Sequence, residues 1–440
     1  MKVAVRMKDT SPALRAGLPA VLLAACGGLI QGFDTGGISN ASPAIIAQFH
    51  LPLAAQGLVT GLVLVGAMIG AIVGGMLADR LGRRGGLLVC GIVFSAGVLF
   101  EVLAPSLFVL LCARVVAGLA IGASSIVSTL YIAEVSPPEK RGGYLSFFQL
   151  AVVFGIVCGV LVSMAAGSHA WRIIMGAGIV PGLVLFFGML AMPESPAWTA
   201  HRNLPPAADK PKAGFSTPAV QLALVVGVGM ALIQQITGIN AVMYYAPGIF
   251  EKAGFHKASA SMLDDLALAV LLTIVTFIAS RIVDRFGCRA LLLWGMGGMV
   301  AALVVLGAAF DLTATVPVAR WLVLGGLLLY IAAFAIGPGP CIWLVIAEIY
   351  PMQVRGPAMS VATLASWLAN LLVSSTFPAF SIGVGEANAF FIFGLVTFLS
   401  WLFTFGLLPE TSGRTLDEIQ SIWRERAATL FSHHHKPTPP

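Results

Sequence analysis

The sequence predicts an all-α polytopic membrane protein with twelve transmembrane helices in two six-helix, pseudo-symmetric halves. Three observations support this fold class: an apolar composition, a series of membrane-length apolar runs, and motifs that occur twice. Of 440 residues, 58% are hydrophobic and 10% are charged, against roughly 25% charged residues in soluble domains. The mean hydropathy is +0.94. Because so few charges cannot cover a soluble surface, soluble, disordered and disulfide-rich secreted classes are excluded.

The apolar runs define the predicted helices. A helix needs about 20 mostly apolar residues to cross a bilayer. Such runs lie at 17–39, 54–78, 86–104, 107–130, 144–166, 171–191, 219–250, 260–282, 289–309, 318–346, 354–379 and 386–407. All but five of the 25 Lys and Arg residues fall on the side that holds both termini. Since cytoplasmic loops carry the excess of positive charge, both termini are predicted to be cytoplasmic.

Three motifs recur in the second half of the chain, which indicates a duplication. Each predicted half has the Asp-Arg loop, the Ala-Glu…Arg-Gly segment and the Pro-Glu end: Asp79-Arg80 and Asp284-Arg285, Glu134…Arg141 and Glu348…Arg355, Glu194 and Glu410. The predicted organisation is an N-terminal arm 1–16, a first half 17–191, a short cytoplasmic linker 192–218, a second half 219–407 and a cytoplasmic tail 408–440. Two parallel halves place a substrate site between them, near the bilayer midplane.

These and further motifs carry a family resemblance. They are Gly75-x-x-x-Asp79-Arg80-x-Gly82-Arg83-Arg84, Pro193-Glu194-Ser195-Pro196, Gln234-Gln235-Ile236-Thr237-Gly238-Ile239-Asn240, Gly337-Pro338-Gly339-Pro340 with Trp343, and Pro409-Glu410-Thr411. In them the chain resembles the major facilitator superfamily and, within it, the sugar porter family, over nearly its whole length. The resemblance implies a secondary transporter that works by alternating access.

Amide and aromatic side chains form the predicted substrate site. Amides suit a sugar because each both donates and accepts hydrogen bonds, and they cost less to bury than charges. Gly238 beside Asn240 allows the seventh helix to unwind locally. The candidates, several of them implied by the resemblance, are Gln149, Gln234, Gln235, Asn240, Tyr245, Trp343, Trp367 and Asn370. The alternative for the amides is hydrogen bonding between helices, and for the tryptophans it is core packing.

Asp34 is the predicted proton-coupling residue. A carboxylate inside a membrane span costs roughly 2.5–3.5 kcal/mol and marks a functional site. Arg114, on the fourth span, is its predicted partner, and protonation of Asp34 would weaken that pair and allow the halves to rock. The family's proton-coupled members carry an aspartate at this position. The alternative is a static ion pair that fixes helix packing.

Charges at the cytoplasmic ends form a predicted inner gate. Asp79 suits the N-terminus of a neighbouring helix, and in the family the others make salt bridges between the halves. The set is Asp79, Arg83, Glu134, Arg141, Glu194, Asp284, Arg285, Glu348, Arg355 and Glu410. The alternative is a set of solvated loop charges. Two departures from the family pattern affect the substrate site: Leu272 replaces an asparagine, and Ser366 precedes Trp367 where Asn or Gln is common.

The predicted function is import of a monosaccharide, a hexose or pentose, together with a proton. A passive sugar facilitator, a transporter of a polyol or another small neutral solute, and a non-transporting sugar sensor are the alternatives. The chain has no phosphate-binding Gly-Lys-Ser/Thr loop and no nucleophile triad, so we expect no enzymatic activity, cofactor or metal. The expected partners are the sugar, the proton and the bilayer, with the monomer as functional unit in the cell inner membrane.

Overall fold

The computed structural model is helical throughout the part of the chain that it describes. This part comprises residues 12–51, 56–137, 140–167, 170–203, 215, 217–243, 258–313, 319–351, 354–411, 414 and 416–431. Within these ranges eleven helices are long and apolar enough to cross a membrane. Ten of the eleven each correspond to one predicted span. The remaining helix, Gly61–Leu103, has 43 residues, about twice what one crossing needs, and contains the predicted spans 54–78 and 86–104.

The helices of the described ranges follow one another through short connections. In chain order they are α1 (Pro12–Gln48), α2 (Gln56–Leu103), α3 (Leu107–Val135), α4 (Arg141–Ala166), α5 (Trp171–Gly176), α6 (Ile179–Leu190), α7 (Pro196–Asn203), α8 (Pro218–Ile236), α9 (Ala258–Phe286), α10 (Cys288–Thr313), α11 (Ala319–Ile336), α12 (Pro338–Glu348), α13 (Arg355–Val384), α14 (Glu386–Leu407) and α15 (Leu416–Phe431).

A glycine turn divides α2 into its two membrane crossings. Gly82 has φ 84° and ψ 170°, which is not helical, and residues other than glycine essentially do not adopt this conformation. A Cβ at Gly82 would also lie 2.3 Å from Oε2 of Glu194. The position therefore requires glycine both for its backbone angle and for its contact. Gly287, between α9 and α10, repeats the arrangement at φ 82° against Glu410.

Small residues let the helices of the first half pack backbone against backbone. Gly28, Gly32 and Gly36 recur every four residues on α1 and face α4, where Cβ atoms would lie within 2.4 Å of backbone carbonyl oxygens. Gly155 and Gly159 of α4 face α1 in the same way. Close packing of small residues is how helices associate where lipid offers no hydrophobic driving force. It also holds Asp34 of α1 at a fixed depth in the bundle.

Two transmembrane segments of the second half are interrupted near their middle. α8 ends at Ile236 and its chain resumes helical structure at 239–243 after Gly238, whose φ is 93°. This confirms the predicted local unwinding. The hydroxyl of Tyr330 donates a 2.8 Å hydrogen bond to the Thr237 carbonyl, which satisfies a carbonyl at the break. Gly337 similarly separates α11 from α12.

The predicted linker and tail each contain a helix that the sequence analysis did not predict. α7 lies in the linker, and α15 lies in the tail with Ile419, Trp423 and Ala427 buried on one face. These three residues follow a helical spacing of four, which is the signal that the analysis missed. His433, His434 and His435 lie outside the described residues.

Candidate functional site

A cavity lies in the interior of the bundle between helices of the two predicted halves. α1, α2, α3 and α4 line it from one side, and α8, α9, α11, α12 and α13 from the other. It encloses about 960 Å³ of atom-free space, including the part open to solvent.

Most of the predicted substrate and coupling residues line this cavity. They are Asp34, Gln149, Gln234, Gln235, Asn240, Trp343, Trp367 and Asn370. Tyr245 lies outside the described residues. Gln31 also lines the cavity and was not among the predicted site residues. Its position about one helical turn before Asp34 was the available signal, because residues three apart on a helix share a face.

The broken helix α8 presents an amide cluster to the cavity. Asn240 donates a hydrogen bond from Nδ2 to Oε1 of Gln235 across the break. Gln235 donates from Nε2 to Oγ of Ser366 at 2.9 Å. Gln234 donates to the carbonyls of Pro338 and Gly339, at 3.4 Å and 3.3 Å. The amides therefore join helices to one another, as the alternative interpretation holds, and they also line the cavity.

Two tryptophans line the remaining wall of the cavity. One packs against an aromatic ring, and the other is buried without a hydrogen-bond acceptor for its indole N–H among the described residues. Trp343 of α12 packs edge to face on Phe148 of α4, with ring centroids 5.8 Å apart. Trp367 of α13 is buried, and its Nε1 donates no hydrogen bond to any described residue. A buried indole N–H usually has an acceptor. Trp367 therefore brings an unsatisfied buried donor to the wall of the cavity.

Both departures from the family pattern lie on the cavity wall. Leu272 of α9 is buried and presents an apolar surface where the family has an amide. Ser366 takes a polar role, since its hydroxyl accepts the hydrogen bond from Gln235. One side of the cavity is thus less polar than the family pattern implies, whereas the Gln235 contact is retained by a shorter side chain.

Asp34 and Arg114 form a buried ion pair beside the cavity. The side chain of Arg114 is 0% exposed and that of Asp34 is 4% exposed. Arg114 binds both carboxylate oxygens, with NH1 on Oδ1 and, at 3.3 Å, NH2 on Oδ2. Its Nε donates to the carbonyl of Val59 at 3.3 Å. Arg114 is sealed behind Asp34, so a proton or ligand from the cavity meets the carboxylate first.

Glu101 of α2 is a second acidic residue at this pair, and the sequence analysis missed it. Its side chain is 0% exposed, and Oε1 lies 3.5 Å from NH1 of Arg114. The signal was present, because Glu101 falls inside the predicted span 86–104 and an ionisable residue in a span is functional by default. Asp34 and Glu101 are therefore both buried acids at Arg114.

At the predicted cytoplasmic end of the first half, a polar network surrounds Arg83. Arg83 binds Oε1 of Glu134 with NH2 at 3.0 Å and lies 3.4 Å from Asp79. Glu134 also accepts a hydrogen bond from the hydroxyl of Ser195. Glu194 accepts from the backbone N–H of Arg83 at 2.9 Å. These contacts fasten α2, α3 and the start of α7 within one half.

Contacts between the halves at this end are made by carboxylates at helix N-termini. Asp284 accepts a 3.0 Å hydrogen bond from the N–H of Gly143, at the start of α4. Asp79 lies symmetrically against Gly356, at the start of α13. An anion is stabilised there by the helix dipole and unpaired N–H groups. The halves are therefore closed against each other here.

The other predicted gate residues surround these contacts. Glu134 and Arg355 attract each other across the halves, as do Arg141 and Glu348. Arg355 also donates to the carbonyl of Tyr350. Glu410 accepts from the N–H of Arg289 at 3.2 Å, which repeats the Glu194 contact. Arg285 lies apart from this network, with its guanidinium over the ring of Phe286 at 5.6 Å.

Comparison with known proteins agrees with this architecture. Residues 20–212 and 208–423 match the family described as Sugar (and other) transporter. The galactose-proton symporter of Escherichia coli strain K12 is 33% identical over 90% of this chain and 92% of its own. The glucose facilitated diffusion protein of Zymomonas mobilis is 35% identical over 92% and 97%. The structure of the proton:xylose symporter XylE bound to 6-bromo-6-deoxy-D-glucose superposes with a TM-score of 0.82 at 28% identity, covering 94% of this chain and 100% of that one.

Fold, cavity and relatives together define a multi-pass secondary transporter and not an enzyme. The chain belongs to the sugar porter family of the major facilitator superfamily. The family and fold class predicted from the motifs are thereby confirmed.

Proposed function

We propose that this transporter imports a monosaccharide together with a proton by alternating access. The observation that carries the proposal is the juxtaposition of Asp34, facing the cavity and paired with Arg114, and an amide-lined cavity. A neutral sugar supplies no charge, so concentrating it requires a coupled ion. One charge moving down about 100 mV supplies about 2.3 kcal/mol, enough for roughly 50-fold accumulation.

The chemistry of the cavity wall supports a hydroxyl-rich substrate. The amides of Gln149, Gln235 and Asn240 offer donors and acceptors at several points. The indole face of Trp343 suits the C–H surface of a pyranose ring. Apart from Asp34, which Arg114 neutralises, the lining carries no charge among the described residues. A charged solute would therefore lack a counter-ion there.

Alternating access follows from the state of the cytoplasmic end. There Asp284 and Asp79 hold the halves together through helix N-termini. In our proposal, protonation of Asp34 weakens its hold on Arg114 in the loaded carrier. The two halves then rock, the contacts of Asp284 and Asp79 separate, and sugar and proton leave together on the cytoplasmic side. The distribution of Lys and Arg supports cytoplasmic termini in a bacterial inner membrane, and we assign function to the monomer.

Uptake by purified protein in liposomes tests this proposal. A panel of hexoses, pentoses and polyols is offered with and without a pH gradient that is acidic outside. We expect the substrate to accumulate only with the gradient, and an uncoupler to abolish accumulation. Accumulation that persists with the uncoupler would refute proton symport, and preference for a polyol would change the substrate class.

Passive facilitation is the second candidate, favoured by the similarity to the Zymomonas mobilis glucose facilitated diffusion protein. On this hypothesis Asp34 and Arg114 form a static pair. The same experiment separates the two functions, because a facilitator equilibrates the sugar at the same level with and without the gradient.

A further inference from the structure

Glu101 is a fully buried carboxyl group that the proposed transport cycle does not use. Its side chain is 0% exposed, and Oε1 lies 3.5 Å from NH1 of Arg114. Apart from Arg114, no described residue donates a hydrogen bond to either of its oxygens. Burying an ionisable group without donors is costly, so its retention beside Arg114 calls for a functional reason.

The charged groups that act on Glu101 are Arg114 and Asp34. Arg172, on the neighbouring α5, is turned elsewhere, since its guanidinium donates to the carbonyls of Val102 and Ala104. Arg114 is thus shared by two carboxylates, Asp34 on its cavity side and Glu101 within the helix packing. The three groups carry one positive charge against two acids, so their protonation is coupled.

Protonation of Asp34 removes a negative charge that compensates Arg114, and an ionised Glu101 can replace that charge. A guanidinium does not lose its proton in proteins, and Arg114 is 0% exposed. If Asp34 were its sole carboxylate partner, protonation would leave a buried cation uncompensated, which is strongly destabilising. With Glu101 ionised, Arg114 keeps a carboxylate partner, and the three groups together are then neutral.

We propose that Glu101 is the second carboxylate of the coupling site, which keeps Arg114 paired while Asp34 carries the transported proton. The proton binds an oxygen of Asp34 and leaves from it, and Glu101 is ionised while Asp34 carries that proton. Glu101 is therefore a positioning residue that acts through Arg114. The inference rests on the proposed proton symport.

The pH dependence of gradient-driven accumulation tests it. In Glu101→Gln, protonation of Asp34 removes its charge from Arg114 and no ionised Glu101 replaces that charge, so more acid is required. We expect the midpoint of the pH profile to move down by about 1 unit or more, with sugar counterflow retained. Glu425→Gln, at an exposed position of α15, is the matched control and should keep the wild-type profile.

Three outcomes would overturn this role of Glu101: a wild-type pH profile in Glu101→Gln, loss of counterflow at every pH in folded Glu101→Gln, or a shift in Glu101→Asp as large as in Glu101→Gln. Glu101→Asp retains the charge and should stay near the wild-type profile, and it serves as the test if Glu101→Gln does not fold. Wild-type protein that never accumulates sugar would instead refute the symport itself.

Discussion

At the scale of single residues, the site combines groups that sequence reasoning finds easily with one that it overlooked. Asp34 and the amides stand out because polar side chains in apolar spans are rare. Glu101 belongs to the same category, yet no motif surrounds it and its partner lies on another helix. Spacing along one chain does not reveal which buried acids share one arginine, because that depends on how α1, α2 and α3 pack.

Asp34→Asn tests proton coupling. The amide cannot take up and release a proton, so we expect sugar uptake to stop at equal concentrations inside and outside. Counterflow should survive, because exchange requires no net proton movement. The measurement is radiolabelled sugar in proteoliposomes, with Asp311→Asn, exposed near the end of α10, as control. Gradient-driven accumulation by Asp34→Asn would contradict the coupling role.

Gln235→Ala tests the amide cluster. Gln235 bonds Ser366 and Asn240 beside the cavity, so its loss removes ligand contacts and leaves its neighbours unsatisfied. With about 1–1.5 kcal/mol per lost hydrogen bond, we expect roughly 5- to 10-fold weaker sugar binding by equilibrium titration. Gln221→Ala, exposed on the same helix, should bind normally. Unchanged affinity in Gln235→Ala would mean that the amide serves only helix packing.

At the scale of helices, hydropathy locates the membrane spans well, but it locates the interruptions within helices less well. The charged loop separated the spans 54–78 and 86–104 correctly, and the non-helical backbone of Gly82 marks that boundary within α2. The break in α8 was predictable, because Gly238 stands in a motif beside Asn240. α15 was missed because its helical stripe of Ile419, Trp423 and Ala427 is short and lies in a polar segment.

The turn glycine leads to a prediction about stability. Gly82→Ala forces a side chain into a glycine-only conformation and against Glu194, which should cost about 2 kcal/mol. We expect a melting temperature in detergent lower by a few degrees. Gly297→Ala, in α10 with no atom near its added Cβ, should melt like the wild type. Equal melting of both variants would show that the turn relaxes at no cost.

At the scale of the whole molecule, the duplicated motifs close the predicted cytoplasmic end from both halves in the same way. Each half contributes one carboxylate to a helix N-terminus of the other, Asp284 to α4 and Asp79 towards α13. The motif pairs predicted this symmetry. For Asp79 the sequence suggested a helix N-terminus, but the backbone N–H of Gly143 as the partner of Asp284 was not predicted, because such a contact leaves no mark on residue identity.

Asp284→Ala tests this closure. Loss of the contact with Gly143 should favour the inward-open state, and cysteines introduced along the cytoplasmic half of the cavity should react faster with a membrane-impermeant thiol reagent. Asp311→Ala, near the end of α10, should leave their reactivity unchanged. Slower labelling in Asp284→Ala would contradict the proposed closing role.

The placement of two indole rings on the cavity wall has a practical consequence. Trp343 and Trp367 are two of the eight tryptophans, and a sugar seated between them displaces water from both chromophores. Occupancy should therefore alter the intrinsic fluorescence of the purified protein. A dye-free optical titration, with Trp367→Phe to assign the signal, can then rank candidate substrates before any vesicle is prepared.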